Sequence, residues 1–352
     1  MINALSLHNV IRGLTSPARL ILIFAFATTL SAQESKVGQR LQREGDEIVV
    51  CGQMFHTTTP VVLWMDPGGY DAYRVQRRFA PLEQSDWETS REAVEHLKRP
   101  NRYDIRKEAL TEAQLEEVRG GGWELGMLQQ VVDQFVIHYD VCGTSQTCFK
   151  VLHDHRGLSV QFMLDVDGTI YQTLDLKERA RHATISNSRS IGVEIANMGA
   201  YPRDKMEPLE RWYAKDASGK TILTFPKQPD LLGIRTKAFV GRPIRDELIE
   251  GNIQGQNLVQ YDFTPQQYES LIKLTATLCK VFPKLRCAYP VDEAGALIPR
   301  KLEDDAWNAY RGLIGHYHVQ LNKVDPGPAF QWDKVVDGAN ELISAEPVLS
   351  RR

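Results

Sequence analysis

Several features are scarce in this 352-residue sequence, and each narrows what the protein can be. The formal net charge is only −3, so the chain lacks the basic bias of a nucleic-acid-binding protein. No Cys-x-x-Cys motif occurs, which argues against a zinc site built from cysteines. With 42% hydrophobic and 25% charged residues, the composition is that of a globular protein with a substantial core.

A long membrane-spanning run is also missing at the N-terminus. The apolar stretch "LILIFAFATTLSA" covers about a dozen residues, too few for a comfortable span, but it suits a secretory signal. Arg12 and Arg19 precede it and small residues end it. We therefore predict a signal peptide over 1–32, cleaved after Ala32, and an exported protein (periplasmic or extracellular) with no stable membrane span afterwards. The alternative is an N-terminal anchor that stays in place.

Cysteine is sparse but arranged in close pairs. Cys142 lies near Cys148, and Cys279 lies near Cys287, whereas Cys51 stands alone. In an exported protein such pairs predict two short disulfides. Buried free thiols are the alternative.

Residues 33–125 form an N-terminal extension of unknown role. "EIVVCG" and "PVVLWM" predict strands, and the spacing of Thr111 and Gln114 predicts a helix that begins with a capping box. The helix ends at three glycines, 120–122. No chemical motif is found in this region, and the sequence allows either a small separate domain or an addition to the next one.

The segment 126–335 has denser patterns. "QFVIHYD" and "SIGVEIAN" predict strands, and "VQFMLDVDGTIYQTL" predicts a hairpin turning at Asp167-Gly168. A helix is predicted after Ser145 as its N-cap, and "FTPQQYESLIKLTATLCKVF" predicts a helix capped by Thr264.

Two parts of the chain carry weaker patterns. Residues 203–260 are polar and rich in proline and glycine, so we predict an insertion of loops with little regular structure. Residues 336–352 are predicted to be a C-terminal tail.

Two histidines and an aspartate form a candidate metal site. His138 and His316 end or lie within apolar strands, where imidazoles are held rigidly. Asp325 follows nine residues after His316, so a turn can bring its carboxylate back beside that ring. Two imidazoles and one carboxylate are a common ligand set for catalytic zinc. Taken singly, each histidine is better explained as a hydrogen-bonded core or surface residue.

Glu194 and Lys323 are candidates for proton transfer and charge stabilisation. Glu194 interrupts the apolar run "IGVEIA", and burying an unpaired carboxylate is costly, so it faces either solvent or a functional cleft. Lys323 precedes Asp325 by two residues and points the same way on an extended segment, where an ammonium can stabilise an oxyanion. A solvated loop lysine is the alternative. We interpret His153 and His155 as solvated.

Four blocks together resemble a known family. In chain order, from about 130 to 335, they are "FVIHYD", "VQFMLDVDGTIYQTL", "RARHATISNSRSIGVEIAN" and "GHYHVQLNKVDPGPAFQW". They resemble the type 2 N-acetylmuramoyl-L-alanine amidases, zinc amidases that include the peptidoglycan recognition proteins. The resemblance implies an α/β fold, with a central mixed β-sheet flanked by helices and a zinc-containing substrate groove.

The resemblance also implies residue roles. The implied zinc ligands are His138, His316 and Asp325, the implied catalytic residues are Glu194 and Lys323, and His182 is the implied substrate-binding residue. The implied activity is zinc-dependent hydrolysis of the amide between N-acetylmuramic acid and L-alanine, in peptidoglycan or muropeptides, by a monomer. The alternatives are a non-catalytic peptidoglycan-binding module, against which the complete residue set argues, and a scaffold protein that binds no zinc.

Overall fold

The computed structural model of the protein describes residues 36–92 and 101–345. The predicted signal peptide therefore lies outside the described residues. Residues 36–42 belong to a small unit of their own, a turn in which the Gln39 N–H donates to the Lys36 carbonyl at 2.9 Å. The sections below concern the second unit, which begins at Arg43.

The second unit combines short strands with helices of six to 17 residues and one helix of five. In chain order the strands are β1 (Glu47–Val50), β2 (Gln53–His56), β3 (Val61–Leu63), β4 (Gln134–Tyr139), β5 (Phe162–Leu164), β6 (Ile170–Gln172), β7 (Ser190–Ile195), β8 (Tyr213–Lys215), β9 (Thr221–Leu223), β10 (Ile249–Ile253), β11 (Gln256–Gln260) and β12 (Gly312–Gly315). The helices are α1 (Trp87–Glu92), α2 (Glu112–Arg119), α3 (Leu125–Val131), α4 (Ser145–Phe149), α5 (Glu207–Trp212), α6 (Pro265–Val281), α7 (Asp304–Ala309) and α8 (Trp332–Ala345). A π-helical segment, Lys150–His155, continues α4.

Six strands form one mixed sheet in the order β12-β4-β7-β5-β6-β3. The neighbours β12, β4, β7 and β5 run parallel, β6 is antiparallel to β5, and β3 is parallel to β6. Helices α6 and α8 cover one face, whereas α4 packs on the other. This confirms the predicted fold class, an α/β protein with a central mixed sheet flanked by helices.

Coverage on both faces explains the apolar strand sequences. All six residues of β4 are buried, and they alternate between the two faces, so Phe135 and Ile137 join the core beneath α6 and α8 while Val136 joins a cluster on the opposite face. A parallel strand in this position needs apolar residues throughout, except where it supplies a functional group. In β4 the polar exceptions are His138 and the first residue, Gln134, which donates to the Trp307 and Tyr310 carbonyls.

The N-terminal extension contributes directly to the sheet. β3 pairs with β6 as an edge strand, from Val61↔Ile170 to Leu63↔Gln172. The side chain of Gln172 bonds to both the N–H and the carbonyl of Val49 in β1, at 2.8 Å each. The strands predicted in the extension are confirmed, and they are built into the same fold as the segment that follows.

Local patterns in the sequence identified where several helices begin. Both α2 and α6 begin with the predicted capping boxes, formed by Thr111 with Gln114 and by Thr264 with Gln267. Two details differ. The N-cap of α4 is Thr144, not Ser145, and in the β5–β6 turn only Gly168 adopts a positive φ, of 85°.

The prediction that 203–260 has little regular structure is wrong. This segment contains α5 and two antiparallel hairpins, β8–β9 and β10–β11. These strands have three to five residues, and several of those residues are exposed, so they lack the apolar alternation that reveals a strand. The described part of the predicted C-terminal tail, residues 336–345, is helical and forms most of α8.

Within residues 36–92 and 101–345, no helix combines the length and the hydropathy that crossing a bilayer requires.

Candidate active site

Three adjacent parallel strands bring the candidate residues to one edge of the sheet. In the β4–β7 pair, His138 lies directly opposite Glu194. In the β12–β4 pair, Gly315 lies opposite Ile137, so His316 follows beside His138. The carboxyl ends of parallel strands are the usual position of ligand sites in open α/β sheets.

The three predicted metal ligands converge in a buried cluster. The Nδ1 atoms of His138 and His316 are 3.0 Å apart. The Oδ2 atom of Asp325 lies 2.8 Å from the first Nδ1 and 3.0 Å from the second. Among the described residues, this is one of two groups of His, Cys, Asp or Glu whose ligand atoms are close enough together to hold a metal ion, and its members are all buried.

The hydrogen bonds around the cluster leave lone pairs pointing inward. The Nε2 atom of His316 lies 2.6 Å from Gln320 Oε1, an acceptor, so the ring proton sits on Nε2 and Nδ1 is unprotonated in the neutral imidazole. His138 Nε2 lies 3.0 Å from His182 Nδ1, and donation to His182 likewise frees the His138 Nδ1. Two unprotonated nitrogens and one carboxylate oxygen, each about 3 Å from the others, suit a divalent cation. The outer hydrogen bonds orient the two imidazoles.

The electrostatic surroundings favour the same neutral state for His138. Burial, with the neighbouring charge of His316, lowers the pKa of His138 to about 4, so this imidazole is neutral near pH 7. Burial alone would raise the pKa of Asp325, but the charge of His316 and hydrogen bonds to both imidazoles hold it well below its usual range. The site therefore presents a neutral His138 imidazole and an ionised Asp325 carboxylate, the forms in which these groups bind metals.

A residue of the 203–260 insertion holds the turn that carries Asp325. Gln260, the last residue of β11, donates from Nε2 to the Pro326 carbonyl at 3.1 Å and accepts the Ala329 N–H at 3.0 Å. Gly327 has a φ of 83°, and a Cβ there would collide with the Gln260 side chain. Glycine is therefore required between the two prolines, and the turn directs Asp325 back toward His316.

Glu194 and Lys323 line the same pocket as the cluster. Glu194 is half-buried, and its Oε2 atom is shielded from solvent without a hydrogen-bond partner among the described residues. Burial, together with the negative charges of Asp325 and Asp140, raises the pKa of Glu194 well above its usual range, and the ammonium of Lys323 opposes that shift. Glu194 thus faces the cleft rather than bulk solvent.

His182 lies behind the first candidate ligand. Its ring packs on β7 at Gly192, where a Cβ would come within 2.6 Å of the imidazole, so this strand position has to be glycine. The Asn187 side chain holds the loop by accepting the N–H groups of His182 and Ala183 at 3.0 and 2.7 Å. The structure therefore brings all six predicted site residues to one pocket.

Comparison with known protein families shows to which family the chain belongs. The family model described as N-acetylmuramoyl-L-alanine amidase matches residues 128–328. The chain belongs to this amidase family. Its membership confirms the resemblance seen in the sequence and the predicted enzyme class.

Solved structures of amidases are similar to the chain at low identity. A selenomethionine derivative of AmpD is 15% identical, with 67% of this chain and 89% of that chain covered and a TM-score of 0.31. AmiD from E. coli, bound to anhydro-N-acetylmuramic acid-L-Ala-D-gamma-Glu-L-Lys, is 16% identical over 59% and 57% of the two chains, with a TM-score of 0.32. The endolysin LysCS from Clostridium intestinale is 17% identical over 60% and 86%, with a TM-score of 0.31. No curated protein matches the chain.

His318 supports the strand end beside the amidase site, although the sequence suggested no role for it. Its Nδ1 accepts the Gly315 N–H at 2.8 Å and its Nε2 donates to the Ile298 carbonyl at 2.8 Å. Burial lowers its pKa to about 3, so it remains a neutral structural residue that fixes the strand end before His316. A histidine two residues from a candidate ligand was the available signal, but its second hydrogen-bond partner, Ile298, lies 20 residues away in the sequence.

The interpretation of His153 as solvated is wrong, whereas His155 is exposed. His153 is buried against Phe149, with ring centroids 4.7 Å apart, and its nitrogens lie 2.8 Å from Asp154 Oδ1 and from the Arg74 carbonyl. The N-terminal extension, which supplies Arg74, covers this side of the helix. No local pattern could reveal that contact.

All five cysteines are free thiols in the structure. The members of each predicted pair are neighbours: a hydrogen bond with Cys142 raises the pKa of Cys148, and one with Cys287 raises that of Cys279. Disulfides between them stay a prediction.

Proposed function

We propose that this amidase depends on zinc and hydrolyses the amide bond between N-acetylmuramic acid and L-alanine in peptidoglycan or its fragments. The observation that carries the proposal is the convergence of His138, His316 and Asp325 next to Glu194 and Lys323. These residues come from distant parts of the chain, yet their functional atoms share one pocket at the carboxyl edge of the sheet. A cluster with only a structural role would not need the unpartnered Glu194 oxygen beside it.

The proposed zinc ligands are His138 and His316 through Nδ1 and Asp325 through Oδ2. Their donor chemistry fits zinc, for which two imidazoles and a carboxylate are a familiar catalytic set. When bound there, zinc supplies Lewis-acid chemistry to the carbonyl of the substrate. Gln320 and His182 would hold the two imidazoles in the required tautomers, as outer hydrogen-bond partners do in other metal sites.

Glu194 is the proposed general base and acid. Its position opposite His138 on the neighbouring strand aims the carboxyl group at the pocket, and the raised pKa makes it a stronger base once ionised. It would take a proton from the attacking water and deliver it to the leaving amine.

Lys323 is proposed to stabilise the oxyanion that develops on the carbonyl. Its ammonium lies in the pocket that Glu194 and Asp325 line, and an ammonium fixed where negative charge develops lowers the barrier to amide hydrolysis. His182 is proposed to line the groove as a substrate-binding residue while it orients His138.

The proposal is tested by substituting Glu194→Gln and assaying the release of peptides with a free N-terminal L-alanine. We expect the unmodified protein to release them from soluble muropeptides or from sacculi. The variant should lose about a hundred- to ten-thousandfold in kcat with unchanged metal content, since general acid–base catalysis contributes that much. Glu269→Gln, on the exposed side of α6, is the matched control and should keep full activity.

Two results would contradict the proposal. Undiminished turnover in Glu194→Gln would remove the mechanism. A metal-loaded unmodified protein that binds peptidoglycan without releasing peptides would favour the binding-module alternative.

We also propose that the protein is exported and acts in the periplasm or outside the cell. The support is the charge and hydropathy pattern of residues 1–32. N-terminal sequencing of the protein recovered from its compartment should begin at Gln33. Recovery of the intact chain from the cytoplasm would show that this segment is not a signal.

A further inference from the structure

The loop that joins β4 to α4 places a strained residue in the pocket. Val141 has a φ of 55°, in the left-handed region, where a β-branched residue is an outlier. Val141 is 47% exposed, and it lines the same pocket as His138, Glu194 and Lys323. An apolar group that is both strained and left in water is unfavourable, and such conformations persist where surrounding structure enforces them, often at functional sites.

Asp140 enforces the conformation from within the loop. Its Oδ1 atom accepts the N–H groups of Cys142 at 2.8 Å and Gly143 at 3.0 Å, so the backbone after Val141 is bent around the carboxylate. The same oxygen accepts the N–H of Asn197 at 3.2 Å, which ties the loop to the end of β7. The loop is thereby fixed to the two strands that carry His138 and Glu194.

The 203–260 insertion supports the loop from behind. The Trp212 ring at the end of α5 lies against Gly143, where a Cβ would come within 2.6 Å of it. Gly143 also has a φ of 74°, so a larger residue is excluded there by both conformation and space. Two independent contacts, one polar and one apolar, therefore hold Val141 at the pocket.

We propose that Val141 is a substrate-binding residue whose isopropyl group contacts an aliphatic part of the substrate beside the scissile amide. The inference rests on the proposed function. In that substrate class the groups on both sides of the amide, lactyl and alanyl, carry a methyl group. The candidate ligands, Glu194 and Lys323 are all polar, and Val141 lines the same pocket with an exposed apolar surface that such a methyl can cover.

The test compares Val141→Gly with Val141→Leu and with Thr58→Gly. Glycine removes the contact and also the strain, since it adopts positive φ freely. We expect kcat/KM on a soluble muropeptide to fall about tenfold in Val141→Gly, mainly through KM, while Tm is unchanged or rises. Val141→Leu keeps an apolar group and should retain kcat/KM within about threefold.

Thr58→Gly is the matched control because Thr58 is also β-branched and exposed, with a φ of 61°, but does not line this pocket. Its Tm should change as in Val141→Gly, with kcat/KM unaltered.

The inference is overturned if Val141→Gly keeps kcat/KM within about twofold of the unmodified protein, or if Thr58→Gly loses as much. It is also overturned if the loss in Val141→Gly comes with a lower Tm or a lower metal content, since the role would then be structural. An unmodified protein without amidase activity would overturn the proposed function and this inference together, whereas an active one with an unchanged Val141→Gly overturns this inference alone.

Discussion

At the scale of single residues, His138 connects the parts of the site. Its Nδ1 faces Asp325 and His316, while its Nε2 faces His182, whose own Nε2 lies 3.4 Å from Ser190 Oγ. The outer partners of both imidazoles are therefore uncharged, and Asp325 supplies the negative charge among the three candidate ligands. A site with one carboxylate leaves a bound cation more electrophilic than a site with several would.

Asp165 provides a prediction that is independent of the metal site. It is fully buried at the end of β5, and its Oδ2 atom has no hydrogen-bond partner among the described residues. Burial, with the charge of Asp167, raises its pKa from 3.8 to about 8. Between these two values the unfolded chain releases the proton and the folded protein retains it, so the folded state becomes relatively less stable as pH rises.

We therefore expect Asp165→Asn to be more stable than the unmodified protein at neutral pH. The difference in the free energy of unfolding should grow between about pH 4 and 8, by up to about 1.4 kcal/mol per pH unit. Urea denaturation at several pH values measures it, with Asp305→Asn on the exposed side of α7 as the control. A difference that does not vary with pH would show that Asp165 carries no raised pKa.

At the scale of elements, α6 depends on its buried N-cap. The Oγ1 atom of Thr264 accepts the Gln267 N–H at 3.1 Å and donates to the Val166 carbonyl at 2.8 Å, which joins the helix to the end of β5. In α2, Thr111 forms the same capping box with Gln114, but in an exposed position. The two helices therefore offer the same motif with and without burial.

Thr264→Ala should lower the free energy of unfolding by about 1–2 kcal/mol, because it leaves a buried donor and a buried acceptor unpaired. Thr111→Ala should cost about 0.5 kcal/mol, since water can replace the lost hydroxyl. Chemical denaturation of both variants checks the comparison. Equal losses would mean that burial of the α6 cap does not matter.

The elements also show which parts of the structure could be predicted from the sequence. β4 and β7 are buried on both faces and α6 carries a capping box with proline at its first position, so short windows of sequence sufficed to predict them. β8 to β11 are short and partly exposed, and their role depends on contacts elsewhere: Gln254, at the β10–β11 turn, donates to the carbonyls of Tyr317 and Gln320. Such support is invisible to local patterns.

At the scale of the whole molecule, the site is assembled across the chain. His138 is separated from His316 by 178 residues and from Asp325 by 187. The chemistry of the residues alone suggested a ligand set, and the family resemblance indicated that His138, His316 and Asp325 act together. The order of the parallel strands explains why these residues meet. Supporting contacts from the insertion, such as Gln260 on the Asp325 turn and Trp212 behind Val141, had no signal in the sequence.

The most direct test of the account is the metal content of the purified protein. We expect about one zinc ion per chain by elemental analysis, and a loss of most of it in His316→Ala, because two of the three ligands bind zinc far more weakly than three. His155→Ala removes an exposed histidine and should retain the metal. A protein that takes up no zinc even when supplied with it, or a His316→Ala variant that holds zinc as tightly as the unmodified chain, would contradict the account.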